Sequence, residues 1–138
     1  MELTDEDRLH ALFAALSDGD LVAFLGWCAD DMSLTARGTS ARTTIVPKRE
    51  IVNWQQSMEA LAGSTMETSV SLVLSGEREN VVLLRYSFQR DERMRSYETA
   101  NLCTFRAGHL VAWFSYPLNL EEYAEAWGIG ALSERQPA

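Results

Sequence analysis

The chain has 138 residues, of which 46% are apolar and 23% charged, and this composition is typical of one globular domain with its own core. A formal net charge of −8 argues against nucleic acid or an anionic membrane as partners, because both require clustered Lys and Arg. No run approaches the roughly 18 consecutive apolar residues of a membrane span, and the acidic N-terminus does not resemble a signal peptide. We therefore expect a single cytoplasmic domain over residues 1–138.

Two helices are predicted at the start of the chain. The first begins at Thr4, where Asp7 completes a weak capping box. Its apolar residues recur every three or four positions, at Leu9, Leu12, Phe13 and Leu16. Gly19 suits the left-handed end of this helix, and Asp20 suits the cap of the next one. The second helix ends at residues 29–31 and carries Leu21, Phe24, Leu25 and Cys28.

A short strand, a polar loop and a third helix are predicted next. Residues 32–36 are the strand and residues 37–46 the loop. Pro47 suits the first turn of the third helix, and Gly63 suits its end. The apolar stripe of this helix contains Ile51, Trp54 or Gln55, Met58 and Leu61.

Four consecutive strands are predicted between Met66 and Tyr116. They cover residues 66–74, 80–89, 94–106 and 109–116, where apolar residues alternate with polar ones or β-branched and aromatic residues are frequent. The turns between them are too short for parallel crossovers, so these strands form an antiparallel meander. A short helix at residues 120–127 and a frayed tail at 128–138 complete the prediction.

Two stretches resemble the nuclear transport factor 2-like superfamily, whose fold is also called cystatin-like. The first is ALSDGDLVAF at residues 15–24 with Ala-Asp-Asp at 29–31, and the second is FRAGHLV at 105–111 followed by WFSY at 113–116. The similarity covers roughly residues 5–127. It implies an α+β, cone-shaped fold in which a curved antiparallel sheet wraps around the N-terminal helices and encloses a cavity. It also implies a homodimer through the outer face of the sheet.

The resemblance extends to SnoaL-like polyketide cyclases and ketosteroid isomerases, but the isomerase site does not carry over. The position of the family's general base falls on Ala36, and that of its tyrosine donor falls near Leu12. The position of its aspartic acid donor falls on Asn101, which can still donate a hydrogen bond to an oxyanion. We therefore expect a pocket for a small hydrophobic or aromatic ligand in which the isomerase base is missing.

The faces of the strands decide which residues reach that pocket. If Asn101 points inward, the two-residue period places Arg95, Tyr97, Thr99 and Cys103 on the same face, whereas a one-residue slip would bring in Glu98 and Leu102. The inward residues of the two neighbouring strands are then Val82, Leu84, Tyr86, Phe88, Val111, Trp113 and Ser115. The outward face contains Leu83, Leu102, Leu110, Ala112 and Phe114, an apolar patch that predicts the homodimer interface.

The candidate site follows from these faces. Asn101 and Tyr97 are the predicted catalytic hydrogen-bond donors, and the predicted ligand-binding residues are Phe13, Trp54, Tyr86, Thr99 and Trp113. Two alternatives stay open, namely that Trp54 and Trp113 are core residues and that Asn101 makes a structural hydrogen bond. The two cysteines have no metal-ligand spacing, and neither a metal nor another cofactor is expected. Cys28 and Cys103 are expected to be buried, reduced thiols.

Three functions fit this prediction. The first is a ligand-binding protein or weak enzyme with isomerase, cyclase or dehydratase-type acid–base chemistry. The second is a carrier or sensor that uses the same pocket without chemistry. The third is a dimeric association domain whose pocket is filled by its own side chains.

Overall fold

The computed structural model describes residues 3–37, 43–61, 66–77 and 79–127. Its helices are α1 (Asp5–Ser17), α2 (Leu21–Gly26), α3 (Ile51–Leu61) and α4 (Leu120–Trp127), with a 3-10 turn at Lys48–Glu50 before α3. Its strands are β1 (Cys28–Arg37), β2 (Thr43–Pro47), β3 (Glu67–Ser75), β4 (Glu79–Arg90), β5 (Arg93–Arg106) and β6 (His109–Pro117). The predicted helix end at Gly63 and the predicted tail at 128–138 lie outside the described residues.

The strands form one curved, open, six-stranded sheet in the order β2-β1-β6-β5-β4-β3. The predicted meander of the last four strands is confirmed, with every neighbouring pair antiparallel. Two of its turns have two residues each, with Asp91 and Glu92 at φ values of 54° and 62° and Ala107 and Gly108 at 52° and 80°. This is the left-handed conformation that a two-residue hairpin turn requires. The expected all-antiparallel sheet is wrong at one place, because β1 pairs with β6 in parallel.

The predictions for residues 27–47 need correction. Helix α2 ends at Gly26, and β1 begins at Cys28 instead of Met32. The pairing of β1 with β6 explains the early start, since the Leu110 N–H donates to the Trp27 carbonyl at 2.8 Å. The predicted loop at 37–46 contains most of β2, which Pro47 ends at the sheet edge before the 3-10 turn rather than inside the first turn of α3.

Helix α1 has the predicted cap and the predicted buried face. The Thr4 side chain accepts from the Asp7 N–H, and the Asp7 carboxylate accepts from the Thr4 N–H, both at 3.1 Å. Its predicted stripe is buried against α2, β3 and β4, at Leu9, Leu12, Phe13 and Leu16.

None of the helices in the described part of the chain is long and apolar enough to cross a membrane.

The inward faces of β4 and β5 are confirmed, while that of β6 is partly wrong. Val82, Leu84, Tyr86 and Phe88 are buried, as are Tyr97, Thr99, Asn101 and Cys103. On β6, Leu110 is fully buried although it was assigned to the outer face, and Val111 is only half-buried. The reason is a bulge, because Thr104 pairs with Ala112 while Phe105 pairs with Leu110, which leaves Val111 as an extra residue.

Both cysteines are free and buried, as predicted. Burial raises the pKa of the Cys28 thiol to about 11. Burial also raises the pKa of the Cys103 thiol, which lies deeper in the core. Both thiols are therefore protonated at neutral pH.

Candidate functional site

A small cavity lies on the inner face of the sheet, next to α3 and α4. Its volume is about 20 Å³. Four strands (β1, β4, β5 and β6) and two helices (α3 and α4) supply its lining. The lining residues are Ala36, Trp54, Met58, Tyr86, Tyr97, Thr99, Ser115, Pro117 and Tyr123. A space of this size holds about one water molecule. A larger ligand can bind only if part of the lining moves.

The cavity is rich in tyrosine. The Tyr86 and Tyr97 rings stack with their centroids 5.0 Å apart, and the Tyr123 ring meets that of Tyr97 edge-on at 4.9 Å. Burial raises the pKa of the Tyr86 and Tyr97 hydroxyls well above the ordinary tyrosine value, and raises the pKa of Tyr123 to about 12. All three hydroxyls keep their protons at neutral pH and can donate hydrogen bonds.

Behind the cavity, Asn101 is the centre of a buried hydrogen-bond network. Its Oδ1 accepts from the Trp113 indole Nε1–H at 2.7 Å. Its Nδ2 donates to the Val82 carbonyl at 3.1 Å and to the Thr99 hydroxyl at 2.8 Å, with the Thr99 carbonyl at 3.3 Å. Thr99 is itself one of the residues that line the cavity. The network thus runs from the core to the cavity wall.

The structure divides the predicted site residues into two groups. Trp54, Tyr86, Tyr97 and Thr99 line the cavity. Phe13, Asn101 and Trp113 do not line it and lie in the packed core, where the Phe13 and Trp113 rings meet edge-on with centroids 5.4 Å apart. Asn101 can therefore influence a ligand in this cavity through Thr99.

Several lining residues were not predicted as site residues. Tyr123 lies on α4, whose buried residues Tyr123, Ala124, Ala126 and Trp127 face the sheet. The small Ala residues between the two aromatics are the sequence signal for this packed face. Met58 belongs to the predicted apolar stripe of the third helix and Ser115 to a predicted inward face, whereas Pro117 lies one residue beyond the predicted end of the last strand.

Among the described residues that line the cavity, none carries a group that could act as a general base at neutral pH. No carboxylate or imidazole is among its described lining residues. Ala36, at the position where the isomerase base was expected, contributes only a methyl group to the wall. In the described part of the chain, no three His, Cys, Asp or Glu side chains lie together in a way that could hold a metal ion.

Comparison with known proteins shows similarity of structure rather than of sequence. No protein-family model matches the chain. No curated protein matches its sequence.

Solved structures with the same fold are numerous. Bal32a, from a soil-derived mobile gene cassette, superimposes with a TM-score of 0.79 at 15% identity, over 89% of this chain and 95% of its own. A Xanthomonas campestris protein of unknown function with a cystatin-like fold superimposes with a TM-score of 0.76 at 14% identity, over 93% of this chain and 99% of its own. IdmH, a candidate polyketide cyclase from Streptomyces antibioticus, superimposes with a TM-score of 0.75 at 16% identity, over 89% of this chain and 98% of its own. These similarities confirm the predicted cystatin-like, nuclear transport factor 2-like fold.

Proposed function

We propose that this protein binds a small, mostly apolar molecule in the tyrosine-lined cavity and donates hydrogen bonds to an oxygen of that molecule. The observation that carries this proposal is the combination of protonated tyrosine hydroxyls with aromatic walls and no base among the described lining residues. Apolar walls with a few convergent polar groups are the usual composition of a small-molecule site. The candidate polyketide cyclase with the same fold supports this type of ligand.

The proposed chemistry is polarisation of a carbonyl or stabilisation of an oxyanion by Tyr86 and Tyr97. Donors preorganised in a dry site stabilise developing negative charge better than water does. Proton abstraction is not part of the proposal, because the tyrosines that line the cavity are donors at neutral pH. A ligand with an acidic enol or phenol oxygen would be held in the same way as a ketone.

Ligand access requires displacement of Trp54 and Met58. Both belong to α3, both are half-buried, and together they close one side of the cavity. Among the described residues, α3 packs mainly against β2 and the 3-10 turn at the sheet edge, whereas α4 packs on the long central strand β5. The helix at the edge is therefore the wall that we expect to move.

Binding of 1-indanone compared with indane tests this proposal. The two compounds have the same ring system and differ by one carbonyl oxygen. We expect the ketone to bind about tenfold more tightly, because it pairs with a buried hydroxyl that the hydrocarbon leaves unsatisfied. Titration followed by NMR, with the indole Nε1–H of Trp54 as the reporter, measures both affinities.

The tyrosine variants identify the donor in that experiment. In Tyr86→Phe the preference for the ketone should fall to about twofold or less, while indane binds as before. Tyr116→Phe, which changes an exposed residue of β6, is the matched control and should keep the preference. Absence of binding by either compound at millimolar concentration, or equal affinities in the wild type, would overturn the proposal.

A second candidate function is a dimeric association domain, which the near-closed cavity and the outer face of the sheet favour. One residue from each of the six strands, paired in register with its neighbours, forms a row across the sheet. The row consists of Leu74, Val81, Leu102, Phe114, Thr35 and Ile45, and all of these except Thr35 are apolar. Leu74 and Ile45 are 57% and 69% exposed. An apolar band of this extent on a soluble domain is typical of an interface.

We expect light scattering to give the wild type a molar mass of twice the 15.5 kDa of one chain. Leu102→Glu should give a folded monomer, because it places a charge in the middle of the row on the outer face of β5. Val22→Glu also replaces an apolar residue by glutamate, but at an exposed position of α2, and this variant should remain dimeric. A monomeric wild type at micromolar concentration, or a dimer that survives Leu102→Glu, would contradict this assignment.

A further inference from the structure

We infer that Ser115 and Thr99 bind one oxygen atom between them, which belongs to a water molecule in the ligand-free protein and to a hydroxyl group of the ligand in the complex. The preferred ligand is then a neutral alcohol, enol or phenol, which the site favours over the corresponding ketone. This inference rests on the proposed function, since it names the chemical class of the ligand in the same cavity. Ser115 is the residue that determines this specificity.

Ser115 carries a buried hydroxyl group on the cavity wall. It lines the cavity and is only 8% exposed. No hydrogen bond joins its side chain to any other residue in the described part of the chain. Buried polar groups in folded proteins nearly always have a hydrogen-bond partner. The partner of Ser115 therefore comes from within the cavity, as a water molecule or a ligand.

Thr99 is the neighbour that shares this partner. It pairs with Pro117 across β5 and β6. Two residues along, Asn101 pairs with Ser115, so Thr99 and Ser115 are diagonal neighbours on the inward face. The Cβ atoms of such neighbours lie about 7 Å apart, too far for two hydroxyl groups to bond directly. One oxygen between them can bond to both, because each hydrogen bond spans about 2.8 Å.

The lining favours an oxygen that carries a proton. Five lining side chains end in a hydroxyl group, namely Tyr86, Tyr97, Thr99, Ser115 and Tyr123. A ketone oxygen accepts two hydrogen bonds through its lone pairs, whereas a hydroxyl group accepts two and donates a third. Ser115 is the acceptor of this third bond, because Thr99 Oγ1 already accepts from Asn101 at 2.8 Å and phenol oxygens are weaker acceptors.

The lining also selects against charged ligands. Among the described residues that line the cavity, none has a side chain that is charged at neutral pH. Burial of an ammonium or carboxylate group without an opposite charge costs far more than burial of a hydroxyl group. 1-Aminoindane, which has the shape of 1-indanol but carries an ammonium group, should therefore bind at least about tenfold more weakly than the alcohol.

Binding of 1-indanol compared with 1-indanone tests the inference. Each enantiomer of the alcohol is titrated separately, and we expect the better one to bind about fivefold more tightly than the ketone. In Ser115→Ala this advantage should disappear, while the ketone stays within about twofold of its wild-type affinity because other hydroxyl groups can donate to it. Ser87→Ala is the matched control on the outward face of β4 and should keep the advantage.

A measurement without ligand separates the inference from the proposed function. Oxygen-17 relaxation dispersion of the solvent counts water molecules that stay buried in a protein. Ser115→Val removes the hydroxyl group and fills the cavity of about 20 Å³ with methyl groups. This variant should hold about one long-lived water fewer than the wild type. Thr99→Val removes the other partner of the water and serves if Ser115→Val does not fold.

The outcomes distinguish the two ideas. If 1-indanone is preferred over indane but 1-indanol binds no better than the ketone, the proposed function stands and the inference is wrong. If none of the compounds binds and the water is lost in the variants, the oxygen site is supported and the ligand class is overturned. Equal numbers of long-lived waters in the wild type and in both variants overturn the inference whatever the ligands do.

Discussion

Asn101→Ala is expected to lower the free energy of unfolding by about 3 kcal/mol, a large share of the stability of a domain of this size. The substitution leaves the Trp113 indole N–H and the Val82 carbonyl without their partner in a fully buried place. An unsatisfied buried donor or acceptor costs about 1–3 kcal/mol, and the empty volume of the side chain adds to this. Urea unfolding followed by circular dichroism measures the loss. Asn53→Ala, on the exposed face of α3, should change stability by less than about 0.5 kcal/mol.

A double-mutant cycle shows how much of the loss belongs to the bond with Trp113. Trp113→Phe removes the indole donor and keeps an aromatic ring in contact with Phe13. Asn101→Ala should therefore cost about 1–2 kcal/mol less in the Trp113→Phe background than in the wild type. If the cost is the same in both backgrounds, the 2.7 Å bond does not contribute to stability.

The residues that share a face with Asn101 could be predicted from the sequence, but the direction of that face and the partners of Asn101 could not. Alternation groups Asn101 with Tyr97, Thr99 and Cys103, and the strand is regular over this stretch, whereas a one-residue slip would turn the same face outward. The bonding partners of Asn101 lie on two different strands, at Val82 of β4 and Trp113 of β6, and their proximity depends on the pairing register. A two-residue period cannot distinguish an amide that faces a ligand from one that bonds to an indole.

Bulges account for most of the wrong assignments in the sheet. The extra residue Val111 reverses the alternation at the start of β6, so Leu110 belongs to the core and the outer apolar face is smaller by one residue than predicted. In β1 the register with β6 advances from Cys28↔Leu110 to Ser33↔Ala112, and this irregularity hides the strand signal of residues 28–31. Parallel pairing between strands so distant in sequence leaves no local signal.

The edge strand β2 is a different case, because its signal was present. Four of its five residues, Thr43 to Val46, are β-branched, a composition that favours a strand over the predicted loop.

Only part of the cavity could be predicted from the sequence. The aromatic walls could be predicted, but not its volume of about 20 Å³, since packing of α3 and α4 onto the sheet decides how much space remains.

Alkaline unfolding is expected to be steep, beginning above about pH 9 and complete before pH 12. Five groups have raised pKa values in the folded protein because they are buried, namely Cys28, Cys103, Tyr86, Tyr97 and Tyr123. Their ordinary values are 9.0 for Cys and 10.0 for Tyr, so the unfolded chain loses these protons first as the pH rises. The stability from these groups is therefore complete below pH 9 and is lost as the pH rises towards the folded values.

The slope of this loss decides how sharp the transition is. Each group that is ionised only in the unfolded chain removes about 1.4 kcal/mol per pH unit, so the set removes about 6 kcal/mol per unit near pH 10.5. That is comparable with the whole stability of an ordinary domain. Tyrosinate absorbance and far-ultraviolet circular dichroism, recorded on the same samples, should therefore share one steep phase.

Tyr86→Phe removes one of the five groups. The unfolding free energy of this variant should therefore fall with pH less steeply than that of the wild type, the difference in slope being about 1.4 kcal/mol per pH unit. The exposed Tyr116→Phe is the matched control and should retain the wild-type slope. A tyrosinate signal that develops while the circular dichroism stays native would show that the buried tyrosines ionise within the folded protein. In that case the dry, proton-retaining cavity on which the proposed function depends does not exist.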